Sequence, residues 1–124
     1  MENIKLFDSE LKVMEIVWEK EPVSAKEINV ITTKTIGWNK NTTYTIIKKL
    51  IEKNCIKRSE PNFICSSLVE KSVIQKAETE NLIEKLYKGS KKAFFAAFLQ
   101  NNSLSEKELA ELKDMIENTT SLKK

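Results

Sequence analysis

The feature of this sequence that most restricts its fold is a shortage of turn-forming residues. Only two glycines and two prolines occur among 124 residues. Sandwiches, barrels and glycine-rich phosphate loops need such residues often, because tight turns require special backbone angles. Hydrophobic residues make up 40% of the chain and charged residues 31%, a balance typical of a folded protein. The sequence therefore predicts a mainly α-helical fold.

Several functional classes are disfavoured by residue types that the chain lacks. Histidine is absent, which removes the commonest general base and the commonest metal ligand. The two cysteines, Cys55 and Cys65, are too few for a tetrahedral zinc site, and we expect both to be small core residues. No catalytic residue, metal or cofactor is predicted.

No apolar run approaches the roughly 20 residues of a membrane span, and the start does not resemble a signal peptide, so we expect a cytoplasmic protein without membrane insertion.

Three short helices are predicted in the first half of the chain. The first covers residues 8–19 and begins at Asp8 or Ser9, either of which can cap it. Ser24 begins the second, with a glutamate three residues later that completes a capping box. Asn41 is expected to cap a third helix over residues 42–53, which Asn54 closes because asparagine tolerates the left-handed conformation.

Two short strands follow the third helix. The segments Cys55–Ser59 and Phe63–Leu68 have strand character and are separated by a turn that contains Pro61. Three helices followed by a hairpin is the order of elements in a winged helix-turn-helix, where the hairpin is the wing. We therefore predict a mainly α fold with a small β wing, with a winged-helix DNA-binding domain over residues 1–69.

Residues 70–124 are predicted to form a helical dimerisation domain. They include Ala93–Leu99, seven consecutive apolar residues, and a helix that is hydrophobic all round must be buried. A tail of this length cannot bury that segment alone, so we predict a homodimer with a shared core; packing against the winged domain is the alternative. The candidate dimer contacts are Ile74, Leu82, Leu86, Phe94, Phe95, Phe98, Leu99, Leu109, Leu112 and Ile116.

Positive charge is concentrated around the third helix. Residues 34–58 contain seven basic residues against the single acid Glu52, a local balance of +6, whereas the whole chain carries +3. Such a block is either an ordinary solvated surface or a phosphate-binding surface.

The third helix separates an apolar side from a polar one. We expect the core side to carry Thr43, Ile46, Ile47 and Leu50, with Ile51 at its margin. The opposite side has hydrogen-bonding residues early and lysines later, and consists of Asn41, Tyr44, Thr45, Lys48, Lys49 and Glu52, with Thr42 at the border. This arrangement suits a recognition helix, whose early residues meet base edges while later lysines meet phosphates. An amphipathic surface helix is the alternative, although threonine and asparagine are only fair helix formers. In the wing we favour Arg58 as a contact to the DNA backbone or minor groove. The candidate DNA-binding residues are Asn41, Thr42, Tyr44, Thr45, Lys48, Lys49 and Arg58.

The order and spacing of six segments carry further information. They are Leu11–Trp18, Trp38, Asn41–Leu50, Ser67–Glu70, Tyr87–Gly89 and Leu104–Leu109. Together they resemble the BlaI/MecI/CopY penicillinase-repressor family of winged-helix transcriptional regulators. The resemblance implies a homodimeric repressor that binds double-stranded, palindromic operators of β-lactamase or other antibiotic-resistance genes.

The same resemblance implies a mode of release. In this family a membrane sensor protease detects a β-lactam, and the repressor is then cleaved in its dimerisation domain. The corresponding bond here joins Ala97 and Phe98, although relatives usually have an asparagine before the phenylalanine. The cysteine cluster of the copper-responsive branch is missing. Two alternatives remain: a family member that regulates other genes through a different signal, and a winged-helix protein-interaction module.

Overall fold

The computed structural model describes residues 4–101 and 103–122. Helices dominate this part of the chain, and a small sheet accompanies them, so the predicted fold class is confirmed. The elements are α1 (Asp8–Lys20), β1 (Val23–Ser24), α2 (Ala25–Thr35), α3 (Lys40–Glu52), β2 (Ile56–Ser59), β3 (Ile64–Ser67), α4 (Lys71–Tyr87), α5 (Lys91–Asn101) and α6 (Glu106–Leu122).

Side chains satisfy free backbone N–H groups where the helices begin. The prediction that Asp8 or Ser9 caps α1 is wrong, because the N-cap is Phe7 and both residues lie within the first turn. The Ser24 hydroxyl accepts from the Glu27 backbone N–H at 3.1 Å, as predicted for α2. The cap of α3 is Asn39, whose side-chain oxygen accepts from the Thr42 N–H at 2.8 Å. The prediction that Asn41 caps this helix is wrong, because Asn41 lies within the first turn. Asn54 has a φ of 62° after α3, as predicted.

The wing belongs to a three-stranded antiparallel sheet with the order β1-β3-β2. The predicted hairpin of β2 and β3 is confirmed, with Arg58 opposite Cys65 and Ser59 opposite Ile64. The strand β1, in which Val23 pairs with Cys65, was not predicted. Two residues are too few to show an alternating pattern, and this strand exists only because β3 lies beside it.

The chain divides into two compact units, one up to Glu80 and one from Asn81 onward. The division falls inside α4, later than the predicted boundary after residue 69, because the first turns of α4 pack with the first unit. Ile74 is only 1% exposed and belongs to the first unit's core. Its own subunit therefore covers the side chain that was predicted to contact a second chain. The core also contains Leu6, Val13, Met14, Val17, Val23, Ala25, Ile28, Ile47, Leu50, Cys55, Ile56 and Cys65.

The second unit contains the end of α4 together with α5 and α6. Aromatic rings connect α4 to α5, because Tyr87 meets Phe94 edge-on at 5.6 Å between ring centroids. The Ser105 hydroxyl accepts from the Glu108 N–H at 3.0 Å, and the Glu108 carboxylate accepts from the Ser105 N–H at 3.2 Å. This is the predicted capping box of α6. Across the described residues, no helix is both long and apolar enough to cross a membrane.

Candidate nucleic-acid interface

The third helix has one fully buried side and one exposed polar side. Thr43, Ile47 and Leu50 have no exposed surface, so α3 is held with a fixed rotation about its axis. Tyr44 is half-buried between the two sides. The three buried residues agree with the predicted core side, whereas Ile46, predicted on the core side, and Tyr44, predicted on the opposite side, are both half-buried. The exposed side consists of Asn41, Thr42, Thr45, Lys48 and Lys49.

A buried pair of hydroxyl groups joins α2 to α3. The side-chain oxygens of Thr32 and Thr43 lie 2.6 Å apart, and the Thr32 hydroxyl also donates to the Asn29 carbonyl at 3.1 Å. Each hydroxyl has a single proton, so Thr43 donates to Thr32. The bond satisfies both polar groups in the contact between the helices and fixes their relative position. Sequence analysis placed Thr43 on the core side but did not identify its partner.

The turn between α2 and α3 is also held by a side chain. The Thr33 hydroxyl donates to the Trp38 carbonyl at 2.8 Å, one residue before the α3 cap Asn39. The turn therefore presents the N-terminus of α3, with its free backbone N–H groups, in a defined position. Such a terminus favours a nearby phosphate.

The C-terminal end of α3 is tied to α1 by an ion pair. The Lys53 ammonium donates to the Glu10 carboxylate at 2.7 Å and to the Lys5 carbonyl at 3.1 Å, and lies 4.8 Å from the Phe7 ring centroid. Glu10 is 1% exposed. The same carboxylate accepts from the Phe7 N–H at 2.8 Å. Sequence analysis missed this pair, although a glutamate in helical register with the core residue Val13 was a signal of it.

The base of the wing is anchored on α1 as well. The Glu21 carboxylate accepts from the Ser67 N–H at 2.7 Å and from the Ser67 hydroxyl. The Trp18 indole donates to the Val69 carbonyl at 2.9 Å. Both bonds connect the end of β3 to the first helix, so the wing and α3 share one rigid support.

The tip of the wing contacts the recognition helix through Phe63. The Tyr44 and Phe63 rings meet nearly at right angles, with centroids 5.8 Å apart. The Arg58 guanidinium lies 3.6 Å from the Phe63 ring centroid and is paired with the Glu60 carboxylate. The hydrogen bond from Arg58 holds the pKa of Glu60 below its usual value. The charge of Arg58 therefore already has a partner within the wing. The DNA contact predicted for this residue stays a prediction.

The two cysteines lie in the core beneath this surface. Cys55 and Cys65 are buried and free, as expected. Burial raises the pKa of both thiols, that of Cys65 to about 11, so they are neutral near pH 7. Among the described residues, no group of three potential metal ligands occurs.

The second unit presents an apolar surface instead of a polar one. No residue of α5 is buried, and the exposed fraction of Phe95 is 56%. Burial of Ala93–Leu99 on every side is therefore not achieved within one chain. A groove of about 380 Å³ lies between α5 and α6 and is lined by Phe95, Phe98, Leu99, Leu112, Met115, Ile116 and Thr119.

The remaining predicted dimer contacts also lie in the second unit. Phe94 and Leu112 are half-buried. Leu82, Leu86, Leu109 and Ile116 are exposed. The predicted cleavage bond lies within α5, where Ala97 is half-buried and Phe98 is 40% exposed.

Comparison with solved structures shows the fold of the first unit. The DNA-binding domain of the repressor BlaI superposes with a TM-score of 0.54 at 23% identity, covering 58% of this chain and 90% of that one. Monomeric BlaI of Bacillus licheniformis, solved in complex with the blaP half-operator, superposes with a TM-score of 0.51 over the same shares. These neighbours are winged-helix domains, so the predicted winged helix is confirmed.

Sequence comparison extends the similarity over nearly the whole chain. A penicillinase repressor of Staphylococcus aureus is 34% identical over 116 residues, covering 92% of each chain. The methicillin resistance regulatory protein MecI of Mammaliicoccus sciuri is 32% identical over 114 residues, covering 90% of this chain and 93% of that one. The model of the penicillinase repressor family matches residues 6–118. The chain belongs to the penicillinase repressor family, whose members are transcriptional repressors and not enzymes.

Proposed function

We propose that this chain represses transcription by binding operator DNA with α3 in the major groove. The exposed polar side of α3 carries the proposal, because the opposite side is fully buried and the helix has only one way to face a ligand. The surrounding charge of +6 over residues 34–58 suits a phosphate backbone. A relative of the same fold, BlaI, has been solved with a half-operator, which supports this mode of binding.

The exposed residues of α3 divide by position. Asn41, Thr42 and Thr45 lie in the N-terminal half of the helix and have side chains that hydrogen-bond base edges. Lys48 and Lys49 lie further along and are suited to phosphates. We therefore assign base readout to the first group and sequence-independent affinity to the second.

We further propose that the protein is a homodimer that binds a palindromic operator. The apolar groove between α5 and α6 and the absence of buried residues in α5 support a second chain at this surface. Two linked recognition helices bind two half-sites with a far higher affinity than one helix binds one half-site. The second unit is thus the source of bivalency.

The genes under control are proposed to be β-lactamase or methicillin-resistance genes, as the names of the relatives suggest. Release would follow cleavage of the Ala97–Phe98 bond by a membrane sensor protease. A cut there would divide α5 and separate Phe95 from the other six residues that line the apolar groove. Because alanine replaces the usual asparagine at position 97, a repressor of other genes with another signal remains the second candidate.

The DNA-binding proposal can be tested on a duplex that the wild-type protein selects from a randomised pool. Lys49→Ala should weaken binding to every duplex and reduce the magnitude of the slope of log affinity against log salt by about 0.9 for each bound subunit, hence by about 1.8 for a dimer on a palindrome. Lys113→Ala removes the same charge from α6 and should leave this slope unchanged. Thr45→Ala should instead change the ranking of duplexes. Binding that does not depend on salt, or failure to select any duplex, would refute the proposal.

The cleavage proposal requires a separate experiment in the native cell. After exposure to a β-lactam, mass spectrometry of the repressor should find fragments that end at Ala97 and begin at Phe98. An intact chain in cells that have induced a β-lactamase would favour the second candidate.

A further inference from the structure

Phe63 is held at the wing tip from three directions. Its ring contacts Tyr44 of α3 and lies beneath the Arg58 guanidinium of β2. Its backbone carbonyl accepts from the N–H of Ala25, the first residue of α2, at 2.9 Å. Its N–H donates to the Glu60 carboxylate at 3.3 Å. Contacts from both helices of the helix-turn-helix and from the wing therefore meet at one residue.

The backbone at this position is unusual for an aromatic residue. Phe63 has a φ of 52°, in the left-handed region that bulky side chains rarely adopt. Such a conformation persists where the surroundings fix it, and it is concentrated at functional positions. Glycine or asparagine would fit this backbone with less strain, so the conformation alone does not explain the aromatic ring.

Tyr44 is half-buried at the border of the side of α3 that faces DNA in the proposed function. It is one turn from both Asn41 and Lys48, which are exposed. A tyrosine ring that rotates freely would contact several base pairs equally well, whereas a ring packed against Phe63 has one preferred position. The wing thereby limits which base edges the tyrosine can meet.

The positive charge of Arg58 already has partners in the wing, namely Glu60 and the ring of Phe63. Its guanidinium is paired with Glu60 and stacked on Phe63, and the pair has no net charge. Glu60 takes the Nε–H of this guanidinium, and its carboxylate repels a DNA phosphate that approaches Arg58. The wing arginine is therefore placed to orient the ring, whereas Lys49, which is also exposed, lies on the side of α3 that faces DNA in the proposed function and is better placed for a phosphate.

We infer that Phe63, oriented by the Arg58–Glu60 pair, is a positioning residue for DNA specificity that acts by fixing the Tyr44 ring on the recognition helix. Arg58 on this view acts through the aromatic stack and not as a phosphate contact. The inference rests on the proposed function, since it concerns how the same helix discriminates between operators.

The first test removes the ion pair without changing the net charge. In Arg58→Gln/Glu60→Gln, the slope of log affinity against log salt should equal that of the wild type on the selected duplex. Lys49→Gln serves as the reference and should reduce the magnitude of the slope by about 0.9 for each bound subunit. A comparable fall in the double variant would show that Arg58 leaves Glu60 to contact a phosphate, and would overturn the inference.

The second test measures discrimination between the selected duplex and the same duplex with one base pair of a half-site exchanged. Phe63→Ala should reduce the ratio of the two affinities by at least about fivefold, the lower end of the effect of losing one base contact. Phe63→Tyr, which keeps the ring, should retain the ratio. In a Tyr44→Ala background, Phe63→Ala should cause no further loss. An unchanged ratio in Phe63→Ala, or additive losses, would refute the inference.

These outcomes separate the inference from the function on which it rests. If the wild-type protein selects no duplex, the proposed function itself fails. If it selects one and Phe63→Ala keeps the full ratio, only the inference fails. Should Phe63→Ala not fold, two other measurements decide the matter. One is the salt slope of the double variant Arg58→Gln/Glu60→Gln, whose two positions are exposed. The other is the ratio of the two duplex affinities in Phe63→Leu, which keeps apolar bulk without a ring.

Discussion

The two compact units differ in how they treat their apolar side chains. The first unit encloses a core in which Met14, Ile28, Ile47 and Leu50 have no exposed surface. In the second unit, α5 has no buried residue although seven of its residues in succession are apolar. The first unit has the core that a single chain needs to fold alone, whereas the second has an apolar surface that a further chain would complete. In the proposed function, the first unit recognises DNA and the second joins two chains.

The largest effect is expected from a charge placed in the apolar surface of the second unit. Phe95→Asp should convert a dimer into a monomer, because a carboxylate cannot be buried without a partner. Sedimentation equilibrium would show a fall in self-association of tenfold or more, as expected for a loss above about 1.4 kcal/mol. Gln100→Asp introduces the same charge on an exposed polar position of α5 and is the control. A dimer that persists in Phe95→Asp would mean that the apolar surface has another use.

A second substitution tests the core of the first unit. Ile47→Ala should lower the free energy of unfolding by about 2–5 kcal/mol, since it leaves a cavity beneath α3. The loss should not depend on protein concentration, unlike any loss in α5. Chemical denaturation at two concentrations measures both properties. Val30→Ala, at an exposed position of α2, should cost about 0.5 kcal/mol or less.

A smaller effect is expected at the buried hydroxyl pair between α2 and α3. Thr43→Val keeps the shape of the side chain but removes the donor to Thr32, and should cost about 1–2 kcal/mol in unfolding free energy. The double variant Thr32→Val/Thr43→Val should lose less than the sum of the two single losses, because no polar group is then left unsatisfied. Strict additivity would indicate that the hydroxyls do not interact.

A pH dependence is also expected, and it arises from a buried thiol of the first unit. Burial raises the pKa of Cys65 from 9.0 to about 11, so the folded state retains a proton that the unfolded state releases. The stability that this thiol contributes is fully present below pH 9 and is lost as the pH rises towards 11. The difference in unfolding free energy between wild type and Cys65→Ala should therefore shrink across this window. A constant difference would show that the thiol titrates normally.

Features encoded in adjacent residues could be predicted from the sequence, and features that depend on distant partners could not. The caps Ser24 and Ser105 were predicted because each bonds to a residue three positions later. The α3 cap was assigned to Asn41, although Asn39 can make the same bond and the structure uses Asn39. Local chemistry does not distinguish two asparagines so close together.

The distant partners explain what was missed. The strand β1 is formed by pairing with β3, about 40 residues further along the chain. The Glu10–Lys53 pair joins residues 43 positions apart. Ile74 was assigned to the dimer because α4 has apolar residues on more than one side, and periodicity does not say which side faces its own subunit. The polar side of α3 was predictable because both of its sides follow from one local pattern.

The hydrogen bond from Trp18 to the Val69 carbonyl has a consequence for spectroscopy. Both tryptophans of the chain, Trp18 and Trp38, lie in the first unit. Unfolding of this unit breaks the indole bond and exposes the ring, so it will alter tryptophan emission. Loss of helix in α5 and α6 will change circular dichroism without this emission change. The native chain thus carries an intrinsic probe that distinguishes melting of its DNA-binding half from melting of its helical tail.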